Sequence, residues 1–373
     1  MRIMGGDQVE QAVEGCLETL RPAADRDWDA VRAGRLEWSC RRTAEHIASD
    51  LIAYAGQLAG RVQNRYAPFE ITFEGSEDGL EPAGTADVLD VIGTTGALLA
   101  AAVRTAPREA RAFHPFPFGG ADRSGFAAMG VTEVLLHTHD IAEGLGVAYE
   151  PPAQLAEDVL TLLFPHVRPG SAAWPTLLWA TGRGDLPGRA PVTRWHWYLP
   201  PVVPAGRLTL HGVTPAAARD LALGGDGGFT WVEDGPFQGT RDAAGTVVKA
   251  YEAGVHRPEW GLFVLVRKED GRAVGGMGFH GAPDDEQRAE VGYDLAESAR
   301  GHGYASEALT ALADRALARD GIRLLFAAID DDNRPSQSVA ERAGFTRATV
   351  EEERTAHGQH DLEPGLRLYV RRG

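Results

Sequence analysis

The hydrophobic pattern of this chain changes once, at the prolines Pro200, Pro201 and Pro204. Before them, apolar residues recur at helical spacing. Val9, Ala12, Val13, Cys16, Leu17 and Leu20 fall on one helical face, and Pro22 lies just past its end. A second helix can start at Ser39 as N-cap and run to about residue 60. A third follows Thr85, carries Val88, Ile92, Thr95, Leu99 and Ala102 on one stripe, and ends before Pro107. A fourth spans 124–143 with Gly144 as its cap, and a short fifth covers 152–164. Four long helices with connections of varied length predict an all-α four-helix bundle over residues 1–198.

After the prolines, strands and helices alternate. Residues 262–267 and 273–279 read as a hairpin whose turn holds Asp270-Gly271. Residues 208–210, 290–295, 322–329 and 366–370 read as further strands, and 305–319 and 335–343 as helices. The two-domain reading is therefore a helical bundle, a stiff proline-rich linker at 199–206, and an α+β domain over 207–373.

Composition narrows the function classes. The net charge is −16, so the surface repels phosphate backbones and general nucleic-acid binding is not expected. Such a surface suits small or cationic substrates. Cys16 and Cys40 are the only cysteines, too few for a disulfide framework or a thiolate metal site. No stretch reads as the run of about 20 apolar residues that a membrane helix needs, and the opening MRIMGGDQVEQ lacks a signal-peptide core. The expectation is a cytoplasmic protein with no membrane or nucleic-acid partner. Lys249 and Lys268 are the only lysines in the chain, a skew towards arginine that fits the G+C-rich coding of actinobacteria.

The sharpest local signal is a strand, then Arg300-Gly301-His302-Gly303-Tyr304-Ala305, then a helix. Glycines there let successive N–H groups converge, and the helix start adds partial positive charge. Together they form an anion site suited to a pyrophosphate. Arg300, Gly303 and Ala305 match the pattern Arg/Gln-x-x-Gly-x-Gly/Ala. Asn333-Arg334-Pro335-Ser336 and Ala343-Gly344-Phe345 follow downstream, and Ala289-Glu290-Val291-Gly292-Tyr293 precedes. On these motifs the C-terminal half resembles the GNAT superfamily of N-acyltransferases, in particular the branch that acetylates ribosomal-protein N-termini and small amines.

The resemblance implies acetyl-CoA as co-substrate, its pyrophosphate on the amides of Gly301, His302, Gly303, Tyr304 and Ala305. It further implies pantetheine beside the strand ending near Leu295, and a contact from Asn333. Glu290 is the candidate base for the amine proton, with a structural carboxylate as the plain alternative. Many members place a tyrosine where this chain has Ala340; Ser336 or water would then protonate the leaving thiolate. The acceptor pocket is expected from 216–253, and Trp231, Phe237, Tyr251 and Trp260 are either its walls or core residues.

In the first half, Glu133 and His137 are four apart and project from one helical face, while His139 points elsewhere. With His46 from the second helix they make three ligands for one divalent ion, leaving a fourth position open. The plain alternative is a surface Glu–His pair and a core histidine. The stretches Thr43-Ala44-Glu45-His46-Ile47-Ala48, residues 130–141, and Leu177-Leu178-Trp179-Ala180-Thr181-Gly182-Arg183 resemble the mycothiol-dependent maleylpyruvate isomerases, which are DinB-like bundles. This resemblance implies zinc on His46, Glu133 and His137, and a low-molecular-weight thiol as its partner. Asp140 and His139 are either partners behind the ligands, pocket residues or helix-surface residues, and His114, in the loop before the fourth helix, is a candidate for the pocket mouth.

The expected function is an acetyl-CoA-dependent N-acetyltransferase for a primary amine, a small molecule or a protein N-terminus. It is fused to a zinc-binding bundle that binds a thiol or the substrate. Two alternatives stand beside it: a bifunctional thiol-dependent isomerase or S-transferase plus acetyltransferase, and a bundle that only binds or sequesters.

Overall fold

In the computed structural model the chain divides into two compact units between Leu199 and Pro200. The structure describes residues 4–63, 65–67, 69, 71, 73, 82–107, 110–114, 121–167, 172–198, 200–349, 353 and 365–373.

The N-terminal unit is helical: α1 (Gly6–Leu20), α2 (Cys40–Gly60), α3 (Thr85–Thr105), α4 (Arg123–Leu145), α5 (Ala153–Leu163) and α6 (Ala173–Ala180). Helices α1 and α2 each pack on α3 and α4. Val9, Cys16, Ile47, Leu51, Ile92, Leu99, Val131 and Leu135 are wholly buried between them. Their helical spacing puts each on an inward stripe, so burial and not intrinsic propensity holds these helices. The Ser39 hydroxyl accepts from Arg42 N at 3.2 Å and starts α2, as its sequence position suggests.

Three expectations need correction. Gly144 does not cap α4; the helix runs on to Leu145 and Gly146, at φ 64, caps it. Gly144 is glycine because a Cβ there would stand 2.1 Å from the Arg32 carbonyl oxygen. The chain before α2 lies directly on the helix, and no side chain fits between. Second, α3 is long and apolar enough to cross a membrane by length and composition. It lies instead against α1, α2 and α4, where Val88, Leu89, Ile92 and Leu99 are at most 1% exposed. Third, the segment 199–206 is not a free spacer. Val202–Ala205 forms strand β1, with Pro204 opposite Thr209. β1 stands at the sheet edge, where the N–H that proline lacks is not needed.

The C-terminal unit is a mixed sheet with helices on both faces. The strands are β1, β2 (Leu208–Gly212), β3 (Leu262–Arg267), β4 (Ala273–Phe279), β5 (Arg288–Leu295), β6 (Leu324–Asp330), β7 (Thr346–Arg347) and β8 (Leu366–Arg372). Their order in the sheet is β1-β2-β3-β4-β5-β6-β8-β7. The helices are α7 (Pro215–Ala222), α8 (Gln238–Glu252), α9 (Tyr304–Leu317) and α10 (Arg334–Arg342). Alternation along β3 separates two cores. Phe263 and Leu265 join the core under α9 and α10, whereas Leu262 and Val264 join the core under α7 and α8.

The pairing of β5 with β6 positions the site. It is parallel and runs from Arg288↔Leu324 to Glu290↔Phe326. Beyond that point β5 continues to Leu295 along β4, and β6 continues to Asp330 along β8. The two strands therefore part company in the middle of the sheet, and the backbone edge of residues 291–295 opens into the crevice between them.

Candidate functional site

At the end of β5 a short 3-10 turn, Glu297–Ala299, leads into the glycine loop. Gly301 and Gly303 have φ of 78 and 84, a region that glycine enters without a Cβ penalty. Gly303 is the N-cap of α9. The amides of 301–305 thus belong to the loop and the first turn of a helix, whose N–H groups lack intrahelical partners. The loop is braced from the turn before β2: Arg207 donates to the His302 carbonyl at 2.6 Å, pairs with Glu307 at 2.5 Å, and lies over the Tyr304 ring at 4.8 Å. Arg300 does not aim its side chain into the loop. Its Nε donates to the Leu295 carbonyl at 3.2 Å and its guanidinium lies over Phe237 at 5.1 Å.

Across the crevice, α10 starts at Asn333, whose side-chain carbonyl accepts from Ser336 N at 3.1 Å. That cap occupies the Asn333 oxygen and leaves its amide protons for other partners. The Tyr293 hydroxyl on β5 donates to the Ser336 carbonyl at 3.0 Å, so β5 and α10 are tied at this point. Burial pushes the Tyr293 phenol up to about 12, which keeps it protonated. Ala340 is fully buried in the core beneath α9 and α10.

On the other face of β5, Glu290, Gly292 and Asp294 project together. Asp294 accepts from Thr240 N at 2.8 Å and from Gly276 N at 3.2 Å, which docks the first turn of α8 onto β4. Gly276 permits the approach, since a Cβ there would meet Thr240 Oγ1 at 2.5 Å. Between α8 and the strands lies a cavity of about 760 Å³. His280, just past β4, lines it, and its Nδ1 stands 3.1 Å from Glu290 Oε2. The hydrogen bond and charge of Glu290 hold His280 above the ordinary histidine value. Gly292 leaves room for the ring, because a Cβ there would stand 2.9 Å from His280 Nε2. His256, after α8, also lines the cavity. Burial pushes it down to about 4, and so it is neutral near pH 7. Of the expected wall residues, Trp260 lines this cavity, Trp231 joins the α7–α8 core, Tyr251 is buried, and Phe237 lies under Arg300.

Residues 207–346 match the family model described as acetyltransferase (GNAT) domain. The C-terminal unit carries a GNAT acetyltransferase domain. The chain is 36% identical over 83 residues to the uncharacterized N-acetyltransferase YjdG of Bacillus subtilis (strain 168), which is 22% of this chain and 49% of that protein. It is 31% identical over 85 residues to the uncharacterized N-acetyltransferase p20 of Bacillus licheniformis, 23% of this chain and 48% of that one. The chain spans about half the length of the curated relatives it matches. Among solved structures, the acetyltransferase from Agrobacterium tumefaciens str. C58 aligns at 23% identity and a TM-score of 0.33, covering 50% of this chain and 100% of that one. The sequence singles out the glycine loop, Asn333, Ser336 and Glu290 as candidates in the GNAT domain. His280 and His256 have no local signature: the first gains its place through the pairing of β4 with β5, the second through the turn after α8.

In the N-terminal unit, His46 on α2 and Glu133 and His137 on α4 offer ligand atoms that all lie within 4.8 Å of one another. His137 Nε2 is 3.2 Å and His46 Nε2 3.9 Å from Glu133 Oε2. His137 Nδ1 is 2.9 Å from Asp140 Oδ2, and Arg183 holds the same carboxylate at 2.9–3.1 Å. Burial acts to lower His137, but the bonds to Asp140 and Glu133 outweigh it and push the ring up to about 9. Asp50, missed in the sequence, stands 3.3 Å from His46. Burial and the nearby Glu133 charge push it up to about 8. A cavity of about 390 Å³ opens here, with Arg35, His46, Glu133, His137, Arg183 and Trp195 on its walls. His139 turns away from the trio to the edge of Trp174, at 5.6 Å. His114 is 5% exposed among Tyr54, Tyr66, Phe126 and Trp197, an aromatic packing position and not a pocket mouth.

Proposed function

We propose that the C-terminal unit transfers an acetyl group from acetyl-CoA to a primary amine. The observation that carries this reading is one juxtaposition: an anion cradle at 301–305 beside strands that part, with a histidine–carboxylate pair on the cavity face of β5. In this reading the amides of Gly301, His302, Gly303, Tyr304 and Ala305 hold the pyrophosphate. The open edge of β5 near Leu295 pairs with pantetheine, and Asn333 contacts the same arm. The amine enters from the cavity under α8 and its nitrogen attacks the thioester carbonyl. Its proton passes to His280, and the new imidazolium is stabilised by Glu290 on Nδ1. Glu290, the base expected from sequence, therefore acts through His280. The C–S bond breaks, and the thiolate is protonated by water, directly or relayed through the Ser336 hydroxyl, which takes a replacement proton from solvent. Positioning and charge placement provide most of the rate.

The pH profile tests the base. His280 works as the neutral ring, so kcat/KM should rise with pH on a limb above the ordinary histidine value. Glu290→Gln removes the charge that favours the imidazolium, so this limb should move to lower pH. His280→Asn should lower kcat by about 10²–10⁴. An unmoved limb in Glu290→Gln would remove His280 from the mechanism.

The N-terminal unit, in the same proposal, is a DinB-like bundle that holds one zinc ion on His46, Glu133 and His137. Two imidazoles and a carboxylate suit a borderline divalent ion. Asp140 fixes the His137 ring through Nδ1, and Arg183 fixes Asp140, the arrangement usual behind metal-bound histidines. When bound, zinc would lower the pKa of a thiol or of water. Arg35 and Arg183 on the cavity wall suit a thiol that also carries a carboxylate. Elemental analysis should find stoichiometric zinc in protein purified without chelators, and none in His46→Ala/Glu133→Ala. A metal-free wild type would end the zinc reading.

A further inference from the structure

The turn between β1 and β2 is two residues long, Gly206-Arg207, and it closes on the glycine loop across 95–100 residues of chain. Arg207 N donates to Glu307 Oε2 at 3.0 Å, and its Nε donates to Glu307 Oε1 at 2.8 Å. Its Nη2 reaches both Glu307 Oε1, at 2.5 Å, and the His302 carbonyl, at 2.6 Å. Gly206, at φ 53, permits this, since a Cβ there would stand 2.7 Å from Glu307 Oε2. Lys268 holds the turn from the other side: its N donates to the Arg207 carbonyl at 3.0 Å and its Nζ to the Gly206 carbonyl at 2.7 Å. The Arg207 side chain is nevertheless more than half exposed. Exposed ion pairs contribute little to stability, so stability alone does not account for this clasp.

What the clasp fixes is a peptide plane. A trans peptide is planar, so the His302 carbonyl and the Gly303 N–H point in opposite directions. The bond from Arg207 to that carbonyl therefore also sets the direction of the Gly303 N–H. Gly301 and Gly303 stand on either side of His302 at positive φ, and glycine enters either sign of φ readily. Without the clasp, the 302–303 peptide can turn over and present a carbonyl oxygen where an anion needs an N–H. Glu307 adds a second reason. It lies in the first turn of α9. Burial acts to raise its carboxyl, but the bonds from Arg207 outweigh this and hold it below its usual value. Left unpaired, that carboxylate would repel an anion at the same helix end. We infer that Arg207 is a positioning residue for the acetyl donor: it locks the His302–Gly303 peptide with its N–H available to the CoA pyrophosphate, and it neutralises Glu307 beside it. This rests on the acetyl-CoA reading above. Arg207 acts through the loop and touches no reacting atom, so it governs donor affinity and not the chemical step.

The test uses full-length protein, one acceptor amine and two donors: acetyl-CoA, and acetyl-pantetheine, which lacks the pyrophosphate. Arg207→Gln should raise KM for acetyl-CoA by about 10- to 100-fold, the range for lost charge-assisted bonds, with kcat at saturation and KM for the amine little changed. With acetyl-pantetheine its kcat/KM should stay within about two-fold of wild type, because that donor has no group for the cradle. Arg207→Lys keeps the charge but not the fork, and it should recover part of the loss. Adding Glu307→Gln to Arg207→Gln removes the stranded carboxylate and should also recover only part, because the peptide is still free to turn over. Equal losses with both donors would mean a general structural role and overturn the inference. Full recovery in the double variant would reduce Arg207 to a charge partner of Glu307 and overturn it too. If wild type neither binds acetyl-CoA nor acetylates any amine, the acetyl-transfer reading fails, and this inference with it; wild-type turnover with an unchanged KM for acetyl-CoA in Arg207→Gln sinks this inference alone.

Discussion

Gly303→Glu should abolish acetyl-CoA binding by the full-length protein while leaving it folded. Gly303 sits at φ 84 and is the N-cap of α9. A side chain there adds left-handed strain of about 1–2 kcal/mol, which a domain of this size tolerates. Space is not the obstacle, since the nearest atom to an added Cβ is Arg207 Nη2 at 3.5 Å. Charge is. A glutamate carboxylate at this position can reach the helix N-terminus and take the place of the pyrophosphate. Calorimetry should show affinity for acetyl-CoA reduced by at least about 100-fold, roughly 2.7 kcal/mol. Gly303→Ala has the same strain without the charge and should lose far less. Equal binding by wild type and Gly303→Glu would sink the loop assignment.

What was legible in the sequence was local. The turn residues Asp270-Gly271 and the strand alternation beside them mark β3 and β4 at their observed bounds. Ser39 announces α2 because an N-cap works within four residues. The glycine loop is readable for the same reason, as strand, turn and helix are contiguous. Pairings across the fold were not legible. His280 reaches Glu290 only because Phe279 on β4 stands opposite Val291 on β5. Arg183 reaches Asp140 across 43 residues. Gly144 misled because glycine serves two purposes, a left-handed cap and a close approach, and sequence cannot tell which. The prolines at 200–204 likewise mark either a spacer or an edge strand, and here they mark the strand.

Arg183→Met should destabilise the N-terminal unit by about 3–5 kcal/mol. The Asp140 side chain is 1% exposed and that of Arg183 9% exposed, so the pair is held away from water. Arg183 donates to Asp140 through Nε and Nη2 at 2.9–3.1 Å. Methionine keeps most of the apolar stem and removes the charge, and Asp140 is then left to its bond with His137. A buried carboxylate that loses its cation costs far more than the intact pair contributes. Denaturant unfolding should show the loss, and adding Asp140→Asn should restore part of it because the uncompensated charge is then gone. Strictly additive losses in this cycle would mean that the pair does not act as a unit.

Acetyl transfer from CoA to an amine at the β5–β6 opening is the activity proposed for the C-terminal unit. Its most direct measurement is amine-dependent release of free CoA by the full-length protein, with the acetylated amine identified by mass. Turnover is expected with wild type, none with Gly303→Glu, and a lowered rate with acetyl-CoA affinity intact in His280→Asn. CoA release that needs no amine, or that survives unchanged in Gly303→Glu, would contradict it.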